Sequence, residues 1–152
     1  MNDAQEAVAE TLRQVVQGKD FEPASKLLAS VTNEQAVKVP AGCPYSIATN
    51  VAHAEQWQRS WLHQLKGLPP FKVWTDAKDF PIVKAAQWPA VRKRFIKGLE
   101  DALAIAESKP FKHNLRDDAA AIRKLNQIAV HGAYHIGQVK LLKRILWATR
   151  KD

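Results

Sequence analysis

Apolar residues recur every three or four positions in four segments of the chain, and the connections between these segments are rich in proline and glycine. The first segment covers residues 2–16, and Gly18 follows it as a stop signal. Its apolar residues share one side of a helix: Ala4, Val8, Leu12 and Val15. Because an amphipathic helix buries such a stripe, the spacing predicts a helix here.

The second and third segments have the same spacing and clear ends. The second covers residues 46–66, where Ser46 is placed to cap the helix and Gly67 follows it. The third covers residues 86–108 and stops before Pro110. The apolar stripes are Ile47, Val51, Ala54, Trp61 and Leu65 in the second segment, and Trp88, Val91, Phe95, Leu99, Ala102 and Ala106 in the third.

The fourth segment, residues 117–149, is the longest. Asp117 and Asp118 stand at its start, where acidic side chains interact favourably with the helix dipole. Signals for β-strands are weak throughout the chain. Four amphipathic segments of this kind predict an all-α fold, with the helices arranged as a four-helix bundle.

The connections between these helices differ in length. Residues 21–39 hold a predicted short helix around residues 24–29. Residues 71–85, which include Trp74 and Phe80, predict a long packed loop with a short extended piece. This long connection between the second and third helices permits a bundle topology other than simple up-and-down.

Length and composition narrow the class of protein. A chain of 152 residues with 46% apolar residues fits a single globular domain, residues 1–152. No stretch approaches the roughly 20 apolar residues of a membrane span, and the polar N-terminus lacks a secretory signal. Cys43 is the only cysteine, which suits a reducing compartment. We therefore expect a cytoplasmic protein.

The net charge is +8, from 23 Lys and Arg against 15 Asp and Glu. Such a charge can attract nucleic acid. The basic residues are spread over positions typical of solvated helix faces rather than gathered in one run. No reading helix or basic-aromatic strip is recognisable, so we rank nucleic-acid binding last among the functions considered.

The fourth segment carries the most informative polar residues. His131 and His135 are four positions apart, so their imidazoles lie about 40° apart on one helix face, and Gln138 shares that face. They interrupt an otherwise apolar stripe, and a buried polar group without a partner costs about 1–3 kcal/mol. Gly132 and Gly137 beside them suggest the close approach of another helix or a ligand.

A bound metal ion would account for the two histidines, because neutral imidazole is a good ligand for transition metals. Core histidines bonded to other side chains are the alternative for the pair alone. The metalloprotease pattern is absent, because that pattern needs a glutamate where Gly132 follows His131. We expect Gln138 to support a ligand or contact the neighbouring helix rather than to bind the ion.

Two histidines rarely complete a metal site, so a third ligand is expected from another helix. His53 is the best candidate, because it lies mid-helix at the edge of the second apolar stripe. His63 faces another side of that helix, and His113 lies in a loop between predicted helix ends. A lone helix histidine is more often structural than a ligand.

Two motifs in the chain resemble the DinB/YfiT-like family of metal-binding four-helix bundles. One is PYSIATNVAHAEQWQRSWL, residues 44–62, with a histidine in mid-helix and aromatic residues after it. The other is HGAYHIGQVKLLKR, residues 131–144, which is similar to the family's His-x-x-x-His-x-Gly-Gln helix. The KDFP…W element at residues 78–88 is also similar, so the resemblance spans most of the chain from Pro44 onward.

The resemblance implies a three-histidine centre of His53, His131 and His135 that holds a divalent metal ion. We expect zinc or nickel, with iron and manganese as alternatives. It also implies a homodimer and a small-molecule substrate. Characterised relatives include bacillithiol S-transferases and mycothiol-dependent maleylpyruvate isomerases, so a low-molecular-weight thiol is a candidate partner.

The functional hypothesis is therefore a metal-dependent enzyme with thiol-dependent S-transferase or hydrolase chemistry. The alternative is a metal-binding or stress-response bundle without turnover. The sequence names no general base, although Tyr45, Glu55 and Tyr134 are candidates.

Overall fold

A computed structural model describes residues 2–73 and 78–148 of the chain. These residues form six helices and no strand, which confirms the all-α fold. No helix in this part of the chain has both the length and the apolar character that a membrane crossing demands. The helices are α1 (Asp3–Gln17), α2 (Ala24–Ala29), α3 (Asn33–Val37), α4 (Ile47–Lys66), α5 (Trp88–Ala106) and α6 (Asp118–Ala148).

The ends of the long helices follow from local hydrogen bonding. The Ser46 side chain accepts from the Thr49 amide and caps α4, as predicted, and Gly67 ends that helix with a positive φ of 64°. The Asp117 carboxylate accepts from the Ala120 amide at 2.7 Å and starts α6. The last residue predicted for this helix, Thr149, lies outside the described residues.

The spacing of apolar residues predicts the shorter helices less well than the long ones. Helix α2 forms at the predicted position, whereas α3 was not predicted. Its five residues bury only Ala36, so no apolar stripe marks it. A capping box does mark it, because Thr32 and Gln35 exchange side-chain and backbone hydrogen bonds. A 3-10 turn, Ala85–Gln87, replaces the first residues predicted for α5.

The described part of the long connection, residues 71–73 and 78–84, contains no strand. The short extended piece predicted there is therefore absent from these residues. Trp74, which belonged to that prediction, lies outside the described residues.

The four long helices share one apolar core, and α5 and α6 each contact both α1 and α4. Helices α4 and α6 therefore lie side by side, so residues near the middle of each can meet. The largest fully buried side chains come from all four and from α2: Leu12, Leu27, Leu28, Ile47, Leu65, Trp88, Phe95, Leu99, Leu125 and Ile128.

The two glycines near the histidine pair have different surroundings. A Cβ on Gly132 would stand 3.0 Å from Leu99 Cδ2, so this glycine lets α5 approach α6 closely. A Cβ on Gly137 would meet nothing within 4 Å. Close approach of another helix is thus confirmed at Gly132, whereas no helix of the described residues approaches Gly137.

Candidate metal centre

The packing of α4 against α6 brings three predicted residues together. His53 comes from α4, and His131 and His135 come from successive turns of α6. One ring nitrogen from each lies within 4.8 Å of the others. The ring centroids are 4.4 Å apart for His131 and His135, and 4.8 Å apart for His53 and His135. The three side chains can therefore hold one metal ion.

His53 is buried, and the connection between α4 and α5 orients its ring. Its Nδ1 lies 2.9 Å from the carbonyl oxygen of Asp79 and 3.0 Å from the carboxylate of the same residue. Both oxygens only accept, so Nδ1 carries the hydrogen and Nε2 keeps a free lone pair. Phe80 stacks on the ring at a centroid distance of 4.0 Å, which fixes its plane.

Asp79 is itself held in place by other residues of α4. The Gln56 amide donates to its carbonyl oxygen at 2.6 Å, and the Trp57 indole donates to its carboxylate at 2.8 Å. Tyr45 stacks on the outer side of Phe80 at 4.8 Å. The connection is therefore anchored at the point where it contacts His53.

His135 is oriented by a chain of amides. The fully buried Asn50 donates to Gln138 Oε1 at 2.7 Å, which leaves its own Oδ1 facing His135 Nδ1 at 3.1 Å. Because Oδ1 accepts, Nδ1 of His135 is the donor and Nε2 is left without a hydrogen. Gln138 thus supports a predicted ligand through Asn50, and such outer contacts fix the tautomer of metal-binding histidines.

The two histidines of α6 meet through their Nε2 atoms, which are 3.1 Å apart. Since His135 Nε2 has no hydrogen, the contact is a hydrogen bond donated by His131. His131 is half-buried, and the edge of Trp61 lies against it at a centroid distance of 5.2 Å. A metal ion between the rings would occupy the place of this shared proton.

Burial keeps both α6 histidines uncharged at neutral pH. Loss of solvation, reinforced by the neighbouring His53, lowers the pKa of His131 to about 4. Loss of solvation, reinforced by His131 and His53, lowers the pKa of His135 to about 3. Because only the neutral ring binds a metal ion, neither ring has to release a proton to solvent, but His131 must move its hydrogen from Nε2 to Nδ1 before Nε2 can bind.

The distances fit a transition-metal ion. Two imidazole nitrogens bound to one ion at about 2.0–2.1 Å lie roughly 2.9–3.4 Å apart for angles between 90° and tetrahedral. The 3.1 Å between His131 and His135 falls in this range. With all three nitrogens inside 4.8 Å, the rings would close by at most about 1.5 Å to share a tetrahedral ion.

The centre is accessible from one side. His53 and His135 are buried, but His131 lines a surface groove of about 890 Å³. Trp61, Val130 and Tyr134 form much of its apolar lining. The histidine cluster therefore lies at the inner wall of a groove large enough for a small molecule.

The remaining candidates lie elsewhere. His63 contacts the Pro69 carbonyl at 2.7 Å, and His113 contacts Asp118 at 3.0 Å, so neither joins the cluster. The Glu55 carboxylate is paired with Arg59 and Arg94, so it is not free to act as a base there. Tyr134 is exposed beside His135, and Tyr45 stacks on Phe80.

The residues that orient the histidines were not predicted from the sequence. Asn50 lies one turn before His53, and a buried amide in an apolar stripe was the available signal. Asp79 and Phe80 belong to the KDFP element, which resembles the DinB/YfiT-like family but for which the resemblance implies no contact with a histidine. Both residues contact His53 only because the loop folds back onto α4. The spacing of apolar residues along the chain contains no information about that contact.

No family model, curated protein or solved structure matches this chain. The similarity to the DinB/YfiT-like family accordingly stays a prediction from the motifs around His53 and the 131/135 pair.

Proposed function

We propose that this chain is a divalent-metal-dependent enzyme in which His53, His131 and His135 hold one ion. The observation that carries the proposal is the convergence of one ring nitrogen from each histidine, all within 4.8 Å of one another. Asp79 and Asn50 each accept an Nδ1 hydrogen, so the Nε2 atoms of His53 and His135 carry none. Outer contacts of this kind are typical of metal-binding histidines.

The protein side supplies three neutral ligands and no carboxylate to the described cluster. A divalent ion bound by three imidazoles keeps its full charge and an open position, which activates a bound water or thiol at neutral pH. His131 is the member of the cluster that lines the groove, so we propose that a substrate would reach the open position from there. Phe80 and Trp61 cover the His53 and His131 rings respectively and exclude water from those sides.

The reaction class we propose is transfer or hydrolysis with a small-molecule substrate. A low-molecular-weight thiol is the proposed cosubstrate, supported by the motif resemblance to the DinB/YfiT-like family. Zinc and nickel suit three imidazole ligands, with iron and manganese next. An activity screen of the metal-loaded protein, with and without added thiols and electrophiles, tests the reaction class.

Elemental analysis of the purified protein tests the metal centre. We expect about one ion per chain, removed by a chelator and restored by adding zinc. His131→Ala should abolish retention, because two remaining ligands hold an ion poorly. His113→Ala is the matched control, since His113 lies outside the cluster, and it should retain the ion. Stoichiometric metal in a folded His131→Ala protein would contradict the assignment.

The same preparations distinguish the alternatives. A chain that retains its ion but shows no turnover with any thiol or electrophile would favour the metal-binding bundle without catalysis. A homodimer is also proposed, on the family resemblance alone. Sedimentation equilibrium measures it, and a monomer at all concentrations would contradict it.

A further inference from the structure

The groove beside His131 has an unusual distribution of charge. Its described lining carries two cations, Arg123 and Lys124, and no carboxylate. The rest is largely apolar, with Trp61, Leu115 and Tyr134 among the lining residues. An apolar trough with positive charge at one part of its wall matches a molecule that has an apolar body and an anionic group.

The position of Lys124 relative to the histidines is fixed by α6. Lys124 and His131 are seven residues apart, which is nearly two helical turns, so both lie on one face about 10 Å apart along the axis. The groove therefore runs from the histidine cluster to the cations. A substrate of about eight to ten non-hydrogen atoms could span that length.

Lys124 is a suitable anion ligand because its charge is not already neutralised. It is half-buried, and no ion pair reaches it from the described residues, whereas the half-buried Arg13, Arg59 and Lys140 each pair with a carboxylate. Desolvation lowers its pKa, which reflects an ammonium group that has lost water without gaining a carboxylate. An anionic ligand would replace the lost solvation.

We propose that this groove binds an amphipathic organic anion, with its carboxylate, sulfonate or phosphate at Lys124 and Arg123 and its other end at His131. The inference rests on the proposed function, because it assigns the substrate class of the same centre. It commits to a small molecule, since the groove ends at the metal-binding cluster.

Two fluorescent probes that differ by a single anionic group test the proposal. The anion is 8-anilinonaphthalene-1-sulfonate, and N-phenyl-1-naphthylamine is its neutral counterpart with the same rings. We expect the sulfonate to bind the folded protein more tightly than the neutral probe. Lys124→Gln should weaken the sulfonate about tenfold and leave the neutral probe unchanged, because only the charged hydrogen bond is lost.

Matched variants separate the groove from the rest of the surface. Lys93→Gln removes an exposed cation from α5, outside this groove, and should change neither probe. Tyr134→Ala removes apolar lining and should weaken both probes. Equal sulfonate binding in wild type and Lys124→Gln would overturn the anion site. Sulfonate binding that appears only after a dimer dissociates would overturn it too, because the groove would then be an interface between copies.

Metal content measured on the same samples keeps the two proposals apart. If Lys124→Gln loses sulfonate affinity and retains its ion, both proposals are supported. If the wild type holds no ion but still binds the sulfonate through Lys124, the metal centre fails and the anion groove remains. If the ion is retained and the sulfonate ignores Lys124, the anion groove fails alone.

Discussion

Helix α4 buries polar side chains on two faces, and the two sets are satisfied in opposite ways. On the α5 side, Glu55 is 4% exposed and its carboxylate lies 3.0 Å from Arg59 and 3.3 Å from Arg94. Each charge there meets an opposite charge. On the α6 side, Asn50 and the connection to α5 satisfy only the outer nitrogens of the histidine rings.

This difference shows what distinguishes a site from a structural network. Burial of polar groups is common to both faces, so burial alone identifies neither. On the α5 side the Glu55 carboxylate and the two guanidinium groups pair with one another. On the α6 side the outer hydrogen bonds hold the rings of His53 and His135, and one nitrogen of each of the three rings lies within 4.8 Å of the others. The convergence of like donor atoms from different elements is therefore the informative quantity.

The largest expected effect on zinc affinity comes from removing a histidine on the α6 side of α4 while the α5 side serves as the control. His53→Ala should lower zinc affinity by more than about 100-fold, because losing a ligand costs more than the 10–100-fold typical of an orienting residue. Glu55→Gln, two positions away on the other face, should leave zinc affinity unchanged. Competition with a chromophoric chelator measures both. Equal losses in the two variants would remove the distinction between the faces.

The next effect concerns the residue that orients His135. Asn50→Leu should lower zinc affinity about 10–100-fold, because it removes the acceptor that fixes the ring without removing a ligand. Gln58→Leu substitutes another buried amide of α4, on the α5 side, and serves as the control. The same chelator competition applies. Unchanged zinc affinity in a folded Asn50→Leu protein would contradict the orienting role.

The reciprocal experiment measures stability rather than metal. Glu55→Leu should lower the free energy of unfolding by about 1–3 kcal/mol, because Arg59 and Arg94 lose their acceptor while keeping partial contact with water. Zinc affinity should be retained. Urea unfolding measures the loss, and Glu100→Gln on the surface of α5 should stay within about 0.5 kcal/mol of wild type. A stability equal to wild type would show that this network contributes nothing.

The last test concerns the pH dependence of the metal-free protein. His131 and His135 have folded pKa values of about 4 and about 3, below their ordinary 6.5. The unfolded chain binds protons that the folded chain excludes, so stability should fall as pH drops from about 6.5 toward 4. Carboxylates whose pKa is lowered, such as Glu22, contribute only from about 4.5 downward.

Between pH 6.5 and 4.5 the change in stability should therefore come from the histidines and not from these carboxylates. Urea unfolding of the chelated protein across this window should show the decline. The double variant His131→Gln and His135→Gln should have a flatter profile there. A decline of equal slope in both proteins would assign it to other groups.

Much of the fold could be predicted from the sequence because the long helices are amphipathic. Ser46 and Gly67 bound α4 by side-chain capping and a left-handed backbone, and both are local properties that residue type reveals. Helix α3 was missed because it is too short to show periodicity. The different surroundings of Gly132 and Gly137 could not be predicted, because a glycine that permits close helix packing and one beside open space look the same in sequence.

The candidate site also contains residues that the sequence predicts and residues that it does not. The 131/135 spacing is local to one helix, so the sequence contains it. His53 could be selected because it stands at the edge of an apolar stripe. Asp79 could not be predicted from the sequence, because its contact with His53 joins residues 26 positions apart through an irregular segment. The charged pairing of Glu55 with Arg94 was hidden for a similar reason, since it depends on how α4 and α5 are rotated against each other.

The anchoring of His53 by Asp79 has a consequence for how long an ion would stay. Two of the three histidines belong to a single 31-residue helix, but the ring of the third is oriented by a loop. Local opening of that loop would release one ligand while the helices remain packed, and such openings cost less free energy than global unfolding. The residence time of the ion would then be set by the loop and not by the core, so substitutions near position 79 could adjust metal exchange without weakening the fold.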